Sequence, residues 1–416
     1  MLIYSSFDSP RLQYTFQLIF SDILQVDFAI TQDIMQYNSY NGVKWAYSNE
    51  ANLNGLVFKT HSLLSENSIK PQDLSPVKWK NYNLFFPVAD NENLPFDPFA
   101  VAFYLLSRYE EYVFVENRDE HDRFQLQHSI AYQRGFYREP LVNILAVEIA
   151  QKIAHFFPEF KWELPPFTTL YTCDVDIAYK YKGKGLLRNS ISIVKLLLER
   201  EFKEVKKNIY AILGKQIADP FEIESADLEL LSQKYNSLIY FLPVSKYGKY
   251  DKNLNPNSLS FCKLIDKLKV FSQIGLHPSY FSYKNPKLLL NEKNRLESIL
   301  NEKVTLSRQH YLRLSLPETY RILLSAGIKG DYSLGWSSDV GFRASVSVPF
   351  YFYDLSKETK TDLKIHSLHV MDVALYRVTQ SKNEYKAIIE QMHNTVKQWG
   401  GEFVILEHNS SQFTFS

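Results

Sequence analysis

The spacing of apolar and polar residues changes along the chain near residue 160. Beyond residue 166, short apolar runs alternate with longer segments in which apolar residues recur every three or four positions. Short apolar runs are typical of buried β-strands, and the longer spacing is typical of amphipathic α-helices. Their alternation predicts successive βα units, as in a parallel sheet covered by helices.

This pattern predicts a barrel domain over residues 166–416. The candidate strands are residues 168–173, 237–242, 274–277, 304–307, 330–333, 347–353, 369–371 and 403–406. The clearest helical patterns cover residues 259–271, 286–300, 317–325 and 383–399. Seven or eight strands in about 250 residues fit a distorted (β/α) barrel.

The pattern of apolar and polar residues over 1–160 predicts a smaller α/β domain of unassigned role. Strands are expected at 2–5, 28–30, 44–47 and 56–58, and helices after Pro10, at 99–112 and at 140–154. Pro10 suits the first turn of its helix, because it lacks the amide proton that such a position leaves unpaired. Pro158, Pro165 and Pro166 mark the linker to the second domain.

The composition excludes several classes of protein. The 416 residues include 47 basic and 46 acidic side chains, a balance that gives no general attraction to nucleic acid. The two cysteines exclude a disulfide scaffold and a cysteine-based zinc site. The chain shows no signal peptide and no run of 18 apolar residues, so we expect a cytoplasmic protein without a transmembrane segment. The oligomeric state cannot be derived from the sequence.

One segment departs from this charge balance. Residues 179–215 contain ten Lys and Arg residues and three Glu residues, a net charge of +7. They predict a helical insertion around residues 180–215, with one long basic amphipathic helix over 191–213. Its charge indicates either a docking surface for a polyanionic glycan or a membrane, or an ordinary solvated helix face.

The candidate chemistry begins with Asp174 and Asp176, which follow the apolar run 167–171. Carboxylates two residues apart on a strand point to the same side. At the carboxyl end of a barrel strand they would stand in the mouth where such folds hold their active sites. One carboxylate could then bind a metal while the other acts as a base, although a solvated strand end fits the same pattern.

Three histidines, His277, His310 and His408, also lie at the ends of predicted strands. A histidine at one such position more often has a structural role, but three together with the two aspartates form a joint signal. One Asp and two His residues make a suitable ligand set for zinc with an open coordination position. Such an ion lowers the pKa of bound water and polarises a carbonyl group.

The order of these motifs resembles the polysaccharide deacetylase family, also called the NodB-homology or carbohydrate esterase 4 group. The matching features are TCDVD at 172–176, His-Pro-Ser from His277, Arg308 at the next strand end, and Leu-Glu-His ending at His408. Residues 327–355, together with FYLLSRYEEY and DEHDRF in the first domain, resemble a divergent branch with a separate N-terminal domain. The resemblance implies a NodB-type barrel, a divalent metal such as zinc, and hydrolysis of an N-acetyl group from a sugar.

The resemblance also implies roles for individual residues. These are Asp174 as general base, Asp176 and His277 as metal ligands, Arg308 as the residue that orients the base, and His408 as general acid. The position of the family's second metal-binding histidine is occupied by Phe281 here. We therefore expect His310 to be the third ligand.

Four further residues are predicted to bind the sugar. Tyr332 and Trp336 could stack on a pyranose ring, Asp331 could bond to hydroxyl groups, and Arg343 could meet a carboxylate or phosphate. Ordinary loop aromatics would give the same pattern.

The leading hypothesis is therefore a metal-dependent carbohydrate N-deacetylase. One alternative is a non-catalytic glycan-binding or assembly protein that kept the barrel and lost the metal, for which Phe281 is the best argument. Another alternative is a hydrolase of a non-sugar amide that uses the same metal.

Overall fold

The structure, a computed structural model, describes residues 1–51, 53–89, 93–215 and 217–411. The chain forms two compact units. Unit 1 comprises Met1–Thr168, Leu314–Arg321 and Asp331–Phe403, and unit 2 comprises Thr169–Arg313, Ile322–Gly330 and the residues from Val404 onward. This division does not follow a single cut in the sequence. The domains at 1–160 and 166–416 stay predictions.

The first 168 residues, all in unit 1, mix short strands with helices. The strands are β1 (Leu2–Ser5), β2 (Ala29–Thr31), β3 (Lys44–Tyr47), β4 (Val57–Phe58), β5 (Val77–Trp79) and β6 (Tyr82–Leu84). The helices are α1 (Pro10–Phe16), which continues as a π-helix over Gln17–Ile23, then α2 (Ile34–Ser39), α3 (Pro98–Leu106), α4 (Tyr109–Val113), α5 (Ile130–Gln133) and α6 (Leu141–Phe156). Short 3-10 helices cover Ser62–Ser65 and Leu126–His128.

Strands β2, β1, β3 and β4 form a parallel sheet in that order. Helix α3 is buried over its whole length, and Phe99 stacks on Trp45 of β3 with ring centroids 5.6 Å apart. The predicted single helix over 99–112 is wrong, because Arg108 adopts a left-handed conformation with φ of 53° and separates α3 from α4.

The next elements belong largely to unit 2. The strands are β7 (Phe167–Asp174), β8 (Ser237–Leu242), β9 (Gln273–Leu276) and β10 (Leu306–Ser307). The helices are α7 (Leu186–Leu198), α8 (Phe202–Ile212), α9 (Ser225–Lys234), α10 (Leu259–Lys269) and α11 (Pro286–Leu300). His310–Leu312 form a tight turn in which Tyr311 has φ of 61°. The last part of the chain contains α12 (Glu318–Ser325), β11 (Gly330–Asp331), β12 (Phe350–Asp354), β13 (Thr359–Ile365), β14 (Val370–Met371), α13 (Asp372–Val378), α14 (Lys382–Trp399) and β15 (Gly401–His408).

Unit 2 is organised around a row of strands in the order β10, β9, β8, β7 and β15. Strands β7, β8, β9 and β10 are mutually parallel neighbours, and helices connect them along the chain. The predicted α/β class with a parallel sheet is therefore confirmed. Closure into a NodB-type barrel is not shown and stays a prediction, as does a separate smaller domain before it.

Two further differences from the sequence-based prediction lie beyond residue 166. The basic segment forms two helices rather than one, because Arg200 lies between α7 and α8 with φ of 59°. Strand β13, which pairs antiparallel with β12, was not predicted. Its sequence TKTDLKI is polar at most positions and exposed at its start, so it lacks the apolar run that marks a buried strand. No helix in the described part of the chain is long and apolar enough to cross a membrane.

The contribution of the buried Asp97 carboxylate to the stability of unit 1 can be tested by mutation. This carboxylate caps α3 through the N–H groups of Phe99 and Ala100, and it also accepts bonds from the Tyr47 hydroxyl at 2.6 Å and the His61 N–H at 2.7 Å. We expect Asp97→Ala to lower the free energy of unfolding by about 3 kcal/mol, because it leaves several buried donors unpaired. Denaturant titration followed by circular dichroism measures this loss.

The matched control is Asp33→Ala. Asp33 also caps a helix through two N–H groups, but it lies on the surface at the start of α2. Water can replace its bonds, so we expect a loss of about 1 kcal/mol or less. Equal losses for the two variants would contradict the special role of Asp97 in the core.

Candidate metal centre

The chain brings chemically active side chains to one edge of unit 2. β7 ends at Asp174, β9 ends just before His277, β10 ends just before Arg308, and β15 ends at His408. Because β7, β9 and β10 run in one direction within the sheet, their carboxyl ends lie at the same edge. Such edges are where parallel α/β folds hold their ligands.

Three of the predicted residues form a cluster that could hold a metal. Asp176, His277 and His310 each offer a ligand atom, and these atoms lie within 4.8 Å of one another. Asp176 Oδ1 is 3.2 Å from His277 Nε2 and 3.5 Å from His310 Nε2. Both imidazoles are buried and Asp176 is half-buried, so the site is closed on the histidine side and more open at the aspartate.

Two atoms of this cluster are buried without a hydrogen bond from the described part of the chain. They are Asp176 Oδ1 and His277 Nε2, which face each other without hydrogen-bonding geometry. A buried polar atom without a partner is unfavourable, so its presence calls for a ligand or another compensating group. A cation between the two atoms would satisfy both, and the residues therefore fit a metal.

The tautomer of His277 supports the same interpretation. Its Nδ1 lies 2.7 Å from the backbone carbonyl of Arg308. A carbonyl oxygen can only accept, so the proton of the neutral ring is on Nδ1 and the lone pair is on Nε2. Metal-binding histidines are held in this way by a bond from the nitrogen that does not touch the ion.

His310 is held by Asp251, a residue that the sequence analysis did not identify. His310 Nδ1 lies 3.0 Å from Asp251 Oδ1, which also accepts the Tyr280 N–H at 3.0 Å. Asp251 is buried. It follows no predicted strand and stands in a lysine-rich loop, so no spacing pattern pointed to it.

The electrostatic field in the cluster favours positive charge. Burial alone would raise the pKa of Asp176, but the imidazoles of His310, His277 and His408 outweigh it and lower that pKa well below its usual range. Burial alone would lower the pKa of His310, but Asp176 and Asp251 raise it to about 10. A bound cation would take the place of the proton on His310.

A second carboxylate stands beside the cluster and is fixed by Arg308. The Arg308 guanidinium donates to Asp174 Oδ1 at 3.0 Å, and it is fully buried over the ring of Phe241. The other carboxylate oxygen, Asp174 Oδ2, lies 3.7 Å from His277 Nε2. Asp174 therefore has one oxygen held by Arg308 and one directed at the cluster.

His408 completes the group on a more open side. Its Nε2 lies 4.0 Å from Asp176 Oδ2, and its side chain is partly exposed. The six predicted catalytic and metal-binding residues therefore lie together in unit 2. Phe281 is exposed and offers no ligand atom, whereas His310 supplies an imidazole from the next strand end.

The four predicted sugar-binding residues lie in unit 1 and are buried. They are Asp331, Tyr332, Trp336 and Arg343. Arg343 donates to both carboxylate oxygens of Glu111, at 3.0 and 2.7 Å, and its guanidinium lies 5.2 Å from the Trp336 ring. Their role in sugar binding stays a prediction that this burial does not support.

Known proteins show only partial similarity to this chain. A family of unknown function, DUF7033, matches residues 1–158. No curated protein matches. Matching solved structures include a candidate polysaccharide deacetylase from Mycobacterium smegmatis, 12% identical with a TM-score of 0.36, covering 59% of this chain and 77% of that one. A polysaccharide deacetylase from Bacillus cereus is 12% identical with a TM-score of 0.28, covering 59% and 80%. With TM-scores this low, neither likeness bears on the function of this chain.

His369 in unit 1 gives a test of pH dependence. Burial lowers its pKa from 6.5 to about 3, so the ring stays neutral in the folded chain while the unfolded chain takes up a proton below pH 6.5. Its stabilising contribution is therefore present above that pH and is lost as the pH falls toward 3. Between pH 7 and pH 5 we expect this histidine to reduce the free energy of unfolding by about 2 kcal/mol.

The measurement is denaturant unfolding at both pH values for the wild type and His369→Gln. The variant should lose about 2 kcal/mol less stability on acidification, because glutamine does not titrate. His155→Gln, at an exposed site in α6, serves as the control and should behave as the wild type. An unchanged pH dependence in His369→Gln would show that this ring is not kept neutral.

Proposed function

We propose that this chain is a metal-dependent hydrolase that removes an N-acetyl group from a sugar or glycan. One observation carries the proposal: a half-buried aspartate and two buried histidines converge on a point where two of their atoms lack a hydrogen bond from the described part of the chain. A second carboxylate, held by a buried arginine, stands beside that point. The order of the sequence motifs, which resembles polysaccharide deacetylases, supports the choice of an N-acetylated sugar.

Asp176, His277 and His310 would hold the ion, for which zinc is the expected metal. One carboxylate and two neutral imidazoles suit zinc and leave a coordination position for water or substrate. When bound there, zinc lowers the pKa of a water molecule and polarises the acetyl carbonyl. Asp251 would keep His310 in the orientation that directs Nε2 inward.

Asp174 would act as the general base. Its Oδ1 is held by Arg308, so its Oδ2 can accept a proton from the attacking water. The buried guanidinium fixes the orientation of the carboxylate, which is the geometric requirement for a base that must meet a bound water. Arg308 is a positioning residue in this scheme.

His408 would act as the general acid. When water adds to the acetyl carbonyl and the C–N bond breaks, the leaving amine needs a proton, which an imidazolium can supply. His408 lies across Asp176 from the buried ligands and is partly exposed, so a substrate can approach it. The products are acetate and a free amine on the sugar.

Metal content tests the proposal first. The wild type, purified without chelator or histidine tag, should hold about one zinc per chain by elemental analysis. His310→Ala should lose the ion, because it removes one of three protein ligands. Asp251→Asn leaves all three ligands in place, and it should retain the ion with an affinity about 10- to 100-fold lower.

His155→Ala is the control for this experiment, since it removes an exposed histidine in unit 1. It should hold as much zinc as the wild type. Full zinc content in His310→Ala would move the third ligand elsewhere. A wild type without metal even after reconstitution would favour the non-catalytic alternative.

Asp174→Asn separates catalysis from metal binding. The amide keeps the shape of the side chain but cannot accept the proton, so we expect retained zinc and a loss of activity of at least about 100-fold. Acetate release from a panel of N-acetylated sugars and simple N-acetyl amides measures this loss. Activity on the simple amides alone would favour the non-sugar alternative, and an active Asp174→Asn would refute the role of this base.

A further inference from the structure

Helices α7 and α8 present apolar side chains to solvent. Among the described side chains of α7, the buried or half-buried ones are Arg188, Asn189, Ser192, Ile193 and Leu196. The opposite, outward face carries Ile191, Val194 and Leu198, spaced three and four residues apart. The outward face of a surface helix is usually polar, so the apolar outward face of α7 is unusual.

Helix α8 repeats this feature. Val205 and Asn208 are buried, while Phe202, Ile209 and Leu213 are exposed at a spacing of seven and four residues. The two helices contact each other within unit 2, and Arg200 forms the turn between them. We call Leu186–Ile212 together with Leu213 the basic hairpin.

The basic hairpin is also positively charged on its apolar side. Lys195 lies within the α7 stripe, and Lys203 and Lys206 flank the α8 stripe, all exposed. Of the nearby acidic side chains, Glu204 is bound by Lys180 and Lys207, and Glu199 lies 3.7 Å from Lys195. Glu201 is exposed. Residues 179–215 as a whole keep a net charge of +7.

We propose that the basic hairpin docks on an anionic phospholipid surface. Helices that lie in a membrane interface combine apolar side chains with Lys and Arg on one amphipathic structure. The apolar side chains enter the boundary between head groups and acyl chains, and the cations meet the acidic lipids. Such helices lie along the surface and need no membrane-spanning segment. The proposal is independent of the proposed hydrolase activity.

The exposed aliphatic residues favour a bilayer over the other occupants. A polyanionic glycan would pair with the lysines, but it offers no apolar phase for Ile191, Val194 or Leu198. A second copy of the chain would bring the same positive charge to the interface, and like charges oppose such a contact. An acidic bilayer is complementary to both properties of the surface.

The test is co-sedimentation of the full chain with vesicles. One vesicle contains phosphatidylcholine alone, and the other contains phosphatidylcholine with roughly 30% phosphatidylserine. We expect binding to the anionic vesicles, weakened by salt as screening increases. The triple variant Ile191→Gln, Leu198→Gln, Phe202→Gln should bind at least about tenfold more weakly, because it removes three apolar side chains from the interface.

The matched control changes three other exposed apolar residues of unit 2. The hairpin residues Ile191, Leu198 and Phe202 are 63%, 81% and 66% exposed, and Leu230, Leu259 and Val270 are 65%, 70% and 73% exposed. Replacing the latter three with glutamine removes a comparable amount of exposed apolar surface outside the hairpin. This control should bind anionic vesicles like the wild type.

A second variant tests the charge without altering the apolar face. Lys203→Gln with Lys206→Gln should weaken binding to anionic vesicles at least about fivefold. Circular dichroism verifies that each variant is folded, and the lysine variant provides the result if the apolar one unfolds. Binding that is absent, equal on both vesicles or lost equally in the control would overturn the proposal. So would a dimer in sedimentation, abolished by the hairpin variant, without any vesicle binding.

Discussion

Arg308 is the residue on which the candidate centre depends. Its backbone carbonyl accepts from His277 Nδ1, and its guanidinium donates to Asp174 Oδ1. One residue at the end of one strand therefore sets the tautomer of a proposed ligand and the orientation of the proposed base. It can do so because β9 and β10 are parallel neighbours, with Ser307 opposite Leu276. The parallel pairing of β9 and β10 therefore brings His277 to the backbone carbonyl of Arg308.

Charge explains why the cluster is compatible with burial. A carboxylate surrounded by apolar groups would be expected to take up a proton, yet the neighbouring imidazoles keep Asp176 ionised. His310 is in turn held between two carboxylates, those of Asp176 and Asp251. The cluster therefore favours a cation, either a proton or a metal ion, and its histidine and carboxylate donors suit a transition metal.

Unit 1 also contains buried arginine and carboxylate side chains, which pair with each other. Arg108 and Arg343 both donate to Glu111, and Arg343 lies against Trp336. All four side chains are buried. Arg108 also donates to the buried Glu110 at 2.7 Å, so two arginines face two carboxylates within unit 1. Breaking a buried ion pair of this kind is expected to destabilise a protein strongly, because the remaining charge cannot be solvated. Arg108, whose left-handed backbone conformation separates α3 from α4, is part of this network.

The sequence by itself determined several strands and helices and the residue types at the strand ends. The patterns at 2–5, 44–47, 237–242 and 286–300 agree with the structure residue for residue. Periodicity reports such elements well, because it depends on which side of each element meets the core. The parallel order then follows from the alternation of strands and helices, and it places Asp174, His277 and Arg308 at one edge.

Only the tertiary structure decided what each polar side chain touches. Asp251 meets His310 from 59 residues away, and Glu111 meets Arg343 from 232 residues away. Local spacing carries no information about such pairs, so the sequence could not separate a buried ion pair from a sugar-binding arginine. The same limit applies to the basic hairpin, whose amphipathic pattern is visible in the sequence. Which of its faces meets solvent depends on the elements that pack against it.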